Sequence, residues 1–322
     1  MQAPSGNHSV NNRVHMLNIL IPTYNRAEFL IKNIEILNDI VTRGGWENEI
    51  DLIISDNAST DTTIEDLKAV QARMNLRITV YEHETNKGGV ANCLFVLEKS
   101  TAKYMMYLGD DDYISYEYLS ECMSIMHRDA ALTAIVPNYV PVSVDGDIVA
   151  NSRQQIGPTL TFAAGYDSVL ENAWKGHQLS GLVFHRENLL REYDKYKVSN
   201  MYLFIFFVAI SAWTGKVYAI SQNPVLVTQP VKKKDWGYGH DGLVNDAFDN
   251  FKKLPVTYLQ RFQLEFNFML HQYWRFMMYK AHGNKVFFKA LKNIAFCPNA
   301  TALFTLSVPA LLVATKLKLI LK

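Results

Sequence analysis

The sequence predicts an α/β fold, a sheet flanked by helices, followed by a helical and basic C-terminal region. Three observations carry this. Short apolar runs alternate with amphipathic helical stretches through the first 130 residues, a pattern that builds a parallel sheet covered on both faces. Each of those runs ends in a polar or glycine-containing cluster. From Lys252 to Lys322 there are eleven Lys and Arg against a single acid, Glu265.

Leu17–Ile21 is an apolar run closed by Pro22 and reads as a buried strand. Ala27–Val41 follows, with Leu30, Ile31, Ile34, Leu37 and Val41 on one helical face. Ile50–Ser55 is a second buried strand. Thr62-Thr63-Ile64-Glu65 has the capping-box pattern and opens a helix to about Met74. Leu76, Ile78 and Val80 alternate with polar residues, as in a strand. Asn86-Lys87-Gly88-Gly89 breaks the chain before a helix over Val90–Lys99, and Lys103–Leu108 is a fourth strand ending at Gly109.

Beyond residue 130 the pattern changes. Ala134–Val140 reads as a strand and Val144-Asp145-Gly146-Asp147 as a hairpin turn. Phe162–Trp174 reads as a helix, Leu182–His185 as a strand, and a helix starts at Arg186. Met201–Trp213 is thirteen apolar residues, too short to span a bilayer, and reads as a buried helix. Lys216–Ile220 and Val225–Thr228 are strand-like, and Val231–Asn245 has the composition of a mobile loop. From Asp246 onward the pattern is helical, interrupted near Gly283, Pro298 and Pro309.

The 322 residues are 49% hydrophobic and 20% charged, with net charge +1. This excludes a disordered polymer, a disulfide scaffold and a polytopic membrane protein. Cys93, Cys122 and Cys297 are too scattered for a zinc knuckle and fit a reducing compartment. Residues 1–15 are polar, lack the apolar core of a signal peptide, and read as a disordered leader. The near-neutral total divides into an acidic body and a basic, aromatic tail suited to an anionic partner, although a plain basic surface has the same composition.

Ligands of open α/β sheets sit beyond the carboxyl ends of the strands. Four clusters therefore converge on one rim: Pro22-Thr23-Tyr24-Asn25-Arg26, Asp56-Asn57-Ala58-Ser59-Thr60-Asp61, Asn86-Lys87-Gly88-Gly89 and Gly109-Asp110-Asp111-Asp112. Three adjacent carboxylates repel one another, and a divalent cation, Mg2+ or Mn2+, removes that cost. In an extended chain Asp110 and Asp112 share a face, while Asp111 points elsewhere, toward a ribose hydroxyl. The alternative is an acidic turn capping the helix near Tyr116. Asp56 can accept from the polar edge of a base or organise its own turn, and Asp61 and Ser59 read as caps. Arg26 can meet a diphosphate or be a solvated helix-start arginine. Lys87 offers a cation beside a close backbone approach, or a plain turn.

The series IPTYNR, SDNASTD, NKGG and YLGDDDY, in this order and spacing, resembles the family-2 glycosyltransferases with the GT-A fold. It covers about residues 16–130 and continues more weakly to about 245. The second half, with SGLVFHRENL, a hydrophobic helix and GKVYAI, looks like the O-antigen sugar transferases of the abequosyltransferase type. The resemblance implies a catalytic domain over 16–245, with a nucleotide-sugar half to about 130 and an acceptor half from 131; residues 246–322, by their own pattern, are a helical, basic, aromatic C-terminal region. It implies a metal-dependent inverting transferase. Pro22, Tyr24 and Arg26 line the nucleotide pocket, Asp56 holds the base and Lys87 lies beside it. Asp110 and Asp111 contact ribose and sugar, and Asp112, with Asp110, binds Mn2+ or Mg2+, which neutralises the leaving diphosphate.

Inversion needs a base for the acceptor hydroxyl. Many members of the family carry an acid at the start of the helix in the second half, where this chain reads Ser199-Asn200-Met201-Tyr202. The candidates are Asp241 and His240 in the loop, and Asp194 upstream. His240 can also reach metal or diphosphate, and Trp236 and Tyr238 can cover a sugar ring or anchor the loop.

Tyr258–Lys280 and Val286–Phe296 mix aromatic and basic residues, and Ala300–Thr315 is sixteen uncharged residues followed by Lys316 and Lys318. That suits an interfacial helix on anionic headgroups, with an oligomer interface or an internal core as alternatives. No nucleic-acid-binding motif is present. The expectation is an enzyme that moves a sugar from a nucleotide-sugar donor to a lipid-linked surface-glycan precursor, cytoplasmic and peripheral on the inner face of the membrane. A non-catalytic nucleotide-sugar binder or scaffold and a nucleotidyltransferase are the alternatives.

Overall fold

A computed structural model describes residues 15–150, 156–229 and 244–320. The expected leader falls almost wholly outside these residues, and so do Trp236, Tyr238, His240 and Asp241.

The sheet has eight strands among the described residues. They are β1 (Leu17–Thr23), β2 (Ile50–Asp56), β3 (Arg77–Glu82), β4 (Tyr104–Tyr107), β5 (Leu132–Val142), β6 (Leu160–Phe162), β7 (Val183–His185) and β8 (Lys216–Thr228), in the order β3-β2-β1-β4-β7-β5-β8-β6. The first four pair in parallel, as their alternation with helices requires. The second half departs from a wholly parallel sheet. β7 inserts antiparallel between β4 and β5, β8 runs parallel to β5, and β6 closes the edge antiparallel to β8. The two strand-like pieces at 216–220 and 225–228 form one strand, interrupted by a register shift opposite Pro137–Tyr139 and by Asn223 at φ +52°.

Helices α1 (Ala27–Gly44), α2 (Thr63–Gln71) and α4 (Tyr116–Arg128) cover one face. Leu17, Ile19 and Ile21 of β1 point to them, while Leu20 points to the other face, the period-two alternation of a strand. That other face carries α3 (Gly89–Lys99), α5 (Tyr166–Asn172), a short 3-10 turn (Ala173–His177), α6 (Arg186–Tyr196) and α7 (Leu203–Thr214). The helix expected over 162–174 is thus split: Phe162 ends a strand, and Gly165, at φ +128°, precedes α5. The helix expected at Met201–Trp213 is α7, and its residues from Leu203 to Ala212 are all buried.

Helices α8 (Val244–Lys253), α9 (Tyr258–His271), α10 (Trp274–Ala281), α11 (Asn284–Ala295) and α12 (Ala302–Ile320) pack on one another, with α8 against α7 and α9 against α5. Phe248, Phe251, Phe268 and Phe304 are fully buried, and they belong to the same contiguous core as Leu20 and Tyr107 of the sheet. α9 opens with a complete capping box between Thr257 and Gln260. At α2 the expected box is replaced: Asp61 accepts from the Thr63 N–H at 3.0 Å, and the Thr62 hydroxyl turns to Asp66. The three cysteines are buried and free.

Candidate active site

The four polar clusters lie at the carboxyl ends of β1, β2, β3 and β4 and are bound to each other. The Asn57 N–H donates to the Thr23 carbonyl at 3.0 Å, and Asn25 Oδ1 accepts from the Thr60 N–H at 2.7 Å. Asn57 Oδ1 accepts from the Lys87 N–H at 2.8 Å, and its amide donates to Asn86 at 3.0 Å. Asn25 and Ala58 hold positive φ, +51° and +63°, in these loops, conformations that side chains adopt only when their surroundings dictate it. The rim is therefore a connected structure.

Tyr24 stands on it, 42% exposed, and Pro22 is half-buried. Asp56 is 2% exposed, and both its oxygens accept from Ser59, one from the N–H at 2.9 Å and one from the hydroxyl. These bonds are those of a turn organiser, and each oxygen keeps a second acceptor position. Lys87 is exposed beside Gly88, which holds φ +85° at the start of α3.

The aspartate trio is not extended. Residues 109–112 turn, with the Asp112 N–H donating to the Gly109 carbonyl at 3.3 Å, so the shared face expected of Asp110 and Asp112 in an extended chain does not form. The trio does not cap α4 either, because Ser115 accepts from the Tyr118 N–H. Each carboxylate has its own partner. Asp110 accepts from the Thr23 hydroxyl at 2.7 Å, and Asp111 pairs with Arg26 at 3.2 Å. Asp112 turns inward, 5% exposed, and accepts from the Thr228 N–H at 2.9 Å, the Gln178 amide at 3.1 Å and the Ser180 hydroxyl. Burial pushes its carboxyl up to about 7, the neighbouring Asp111 carboxylate adds to the rise, and the bonds from Ser180 and Thr228 oppose it. A Cβ at Gly109 would stand 2.9 Å from Asp112 Oδ2 and would displace that carboxylate.

Two buried asparagines escape motif reading. Asn33 of α1 donates to the carbonyls of Gly109 at 3.0 Å and Asp112 at 2.9 Å, which fixes the turn. Asn92 of α3 accepts from the Ser55 hydroxyl at 2.6 Å and donates to the Ser55 carbonyl at 3.0 Å. The available signal was a polar residue on an apolar helix face, since Asn33 falls between Leu30 and Ile34. Gln178, Ser180 and Thr228 had no signal, being 66 to 116 residues from Asp112.

In the second half, Asp194 is exposed on α6 and pairs with Lys197. His240 and Asp241 lie outside the described residues. Among the described residues no group of three or more His, Cys, Asp or Glu side chains is arranged to hold a metal ion.

Residues 18–193 match the family model described as glycosyl transferase family 2. The poly(ribitol-phosphate) beta-N-acetylglucosaminyltransferase TarS of Staphylococcus aureus is 25% identical over 183 residues, covering 55% of this chain and 29% of TarS. The abequosyltransferase RfbV of Salmonella typhimurium is 32% identical over 115 residues, 36% of this chain and 34% of RfbV. The matched stretch thus spans about a third or less of each relative's length. The crystal structure of S. aureus TarS 1–349 in complex with UDP-GlcNAc superposes with a TM-score of 0.68 at 16% identity, over 94% of this chain and 87% of that one. The family match embraces β1 to β4 with the loops at their ends, and the superposition extends the fold likeness into the C-terminal helices, so the chain belongs to glycosyl transferase family 2 and has the GT-A fold.

Proposed function

We propose that the chain is a metal-assisted inverting glycosyltransferase that moves a sugar from a nucleoside-diphosphate donor to a surface-glycan precursor. The observation that carries this reading is the joined rim, in which Thr23 holds Asp110 and Arg26 holds Asp111 around the exposed Tyr24. Such a rim offers an aromatic face for a base, a guanidinium for a diphosphate and carboxylates for sugar hydroxyls. The complexes of TarS with UDP-GlcNAc and with UDP support a nucleoside-diphosphate donor for this chain.

The residues fit a divalent cation. Mg2+ and Mn2+ are held by one or two carboxylates together with substrate phosphates, and Asp112 offers such a carboxylate: Oδ2 accepts from Ser180 and Gln178, while Oδ1 accepts from the Thr228 N–H and keeps a second acceptor position. Asp112 would be the ligand, with Asp110 as the second candidate, and a bound cation would supply Lewis-acid neutralisation of the leaving diphosphate. Arg26 orients the diphosphate, and Asp56 accepts from the base.

The acceptor is proposed to be lipid-linked, with the C-terminal region resting on the inner face of the membrane. No helix among the described residues is long and apolar enough to cross a membrane. α12 nevertheless turns Leu303, Leu306 and Val313 outward, Leu306 at 77% exposure, and Phe288 and Phe296 are exposed near Lys285, Lys289 and Lys292. Exposed apolar side chains among lysines suit anionic headgroups. A second copy of the chain on this face is the competing occupant.

A thermal-shift series with UDP, GDP, dTDP and CDP, with and without Mn2+, tests the donor site. The expected result is stabilisation by one nucleotide class that increases with Mn2+. Stabilisation by none of them overturns the reading. A binder without turnover is the second reading, favoured by the sequence Ser199-Asn200-Met201-Tyr202, which lacks a carboxylate.

A further inference from the structure

We propose that Asp246, on α8, is the general base of the transfer reaction, its carboxylate delivered to the N-terminus of α7. The proposal rests on the transferase reading. The Met201 N–H donates to Asp246 Oδ2 at 3.3 Å, just ahead of the first turn of α7. That turn has no acid of its own and no side-chain cap, so the carboxylate comes from another element. α8 is held in register by two asparagines. Asn200 donates to Asn250 Oδ1 at 2.8 Å and to the Asp246 carbonyl at 3.3 Å, and the fully buried Asn250 donates to the Tyr202 carbonyl at 2.8 Å.

The start of α7 is linked to the aspartate turn through one intervening segment. Gly176 lies against it so closely that a Cβ there would meet the Phe204 carbonyl oxygen at 2.4 Å. Two residues further on, Gln178 donates to Asp112. One short segment, 176–180, thus touches both the carboxylate on the donor side and the helix turn that receives Asp246.

In the step assigned to it, Asp246 takes the proton of the acceptor hydroxyl as that oxygen bonds to the anomeric carbon. The bond from that carbon to the diphosphate oxygen breaks on the opposite side, and its electron pair leaves with the nucleoside diphosphate. The proton on Asp246 then passes to water.

The test uses the full chain with Mn2+ and a panel of UDP-, GDP-, dTDP- and CDP-hexoses, with water as the acceptor, and measures nucleoside diphosphate released. Asp246→Asn keeps an oxygen for the Met201 N–H but removes the base. It is expected to lower turnover about 100-fold or more while the melting shift caused by the free nucleotide stays at the wild-type value, and Asp246→Glu is expected to regain part of the rate. Turnover of Asp246→Asn within about threefold of wild type, or loss of nucleotide binding in step with turnover, overturns the assignment and leaves the transferase reading standing. A wild-type chain that binds nucleotide and turns over no donor overturns the transferase reading, and this assignment falls with it.

Discussion

The rim of strand-end loops and the C-terminal helices are held together by different physics. At the rim, polar side chains bond to backbone groups of neighbouring loops, as in Asn25 with Thr60, Asn57 with Lys87 and Asn33 with Gly109. In the C-terminal helices the adhesive is aromatic. Phe248 meets Phe304 edge-on with ring centroids 4.7 Å apart, and Phe268 lies against Phe248 and Phe251. Hydrogen bonds are directional and fix loops to fractions of an ångström, which suits a site that must place charges. Aromatic burial is strong and weakly directional, which suits a support. Stability and ligand binding should therefore respond separately to changes in the two regions.

The largest expected effect strikes the support. Phe268→Ala removes a fully buried ring and should cost about 3–5 kcal/mol, read from urea denaturation. The nucleotide-induced melting shift should survive in whatever fraction remains folded, and loss of that shift in folded protein would join the two regions into one unit. Next comes Asp112→Ala at the rim. Donor turnover should fall by about 10²–10³-fold with loss of Mn2+ dependence, measured as nucleoside diphosphate release, and undiminished turnover would remove the metal role. Asn33→Ala deletes the donor to two turn carbonyls and should cost about 1–3 kcal/mol, with weaker nucleotide binding by calorimetry. An unchanged affinity would show that the turn holds without α1.

The smallest effect is a pH dependence in the 3-10 turn between the two regions. Burial holds the Lys175 ammonium down to about 8, its Nζ donating to Asn172 at 2.8 Å. Between pH 8 and the ordinary lysine range the unfolded chain binds the proton more readily than the folded one, so stability rises with pH across that window. Lys175→Met should flatten the rise in denaturation midpoints, and an unaltered slope would assign it to another group.

How far the sequence could be read follows from the range of each interaction. The ends of β1, β2 and β4 and the polar clusters after them were legible because apolar runs and their terminating residues are local signals. The partners inside the rim were partly legible. Tyr24, Arg26, Asp56 and Asp111 stand at the expected edge, yet the inward turn of Asp112 is not legible locally, because the groups that draw its carboxylate inward, Gln178, Ser180 and Thr228, lie 66 to 116 residues away. The unity of β8 was also missed, since Gln222 and Asn223 interrupt its apolar pattern and only pairing with β5 carries the strand across them.

The strand–helix alternation, the four clusters at the sheet rim and the apolar character of α7 are encoded locally, in short-range periodicity and chain-breaking residues. The folded chain was needed to bring β7 antiparallel beside β4, to gather Ser180, Gln178 and Thr228 around Asp112, and to carry Asp246 on α8 to the start of α7. Those contacts join residues 45 to 116 positions apart. No local pattern encodes them, because they exist only once the burial of the whole core has brought the segments together.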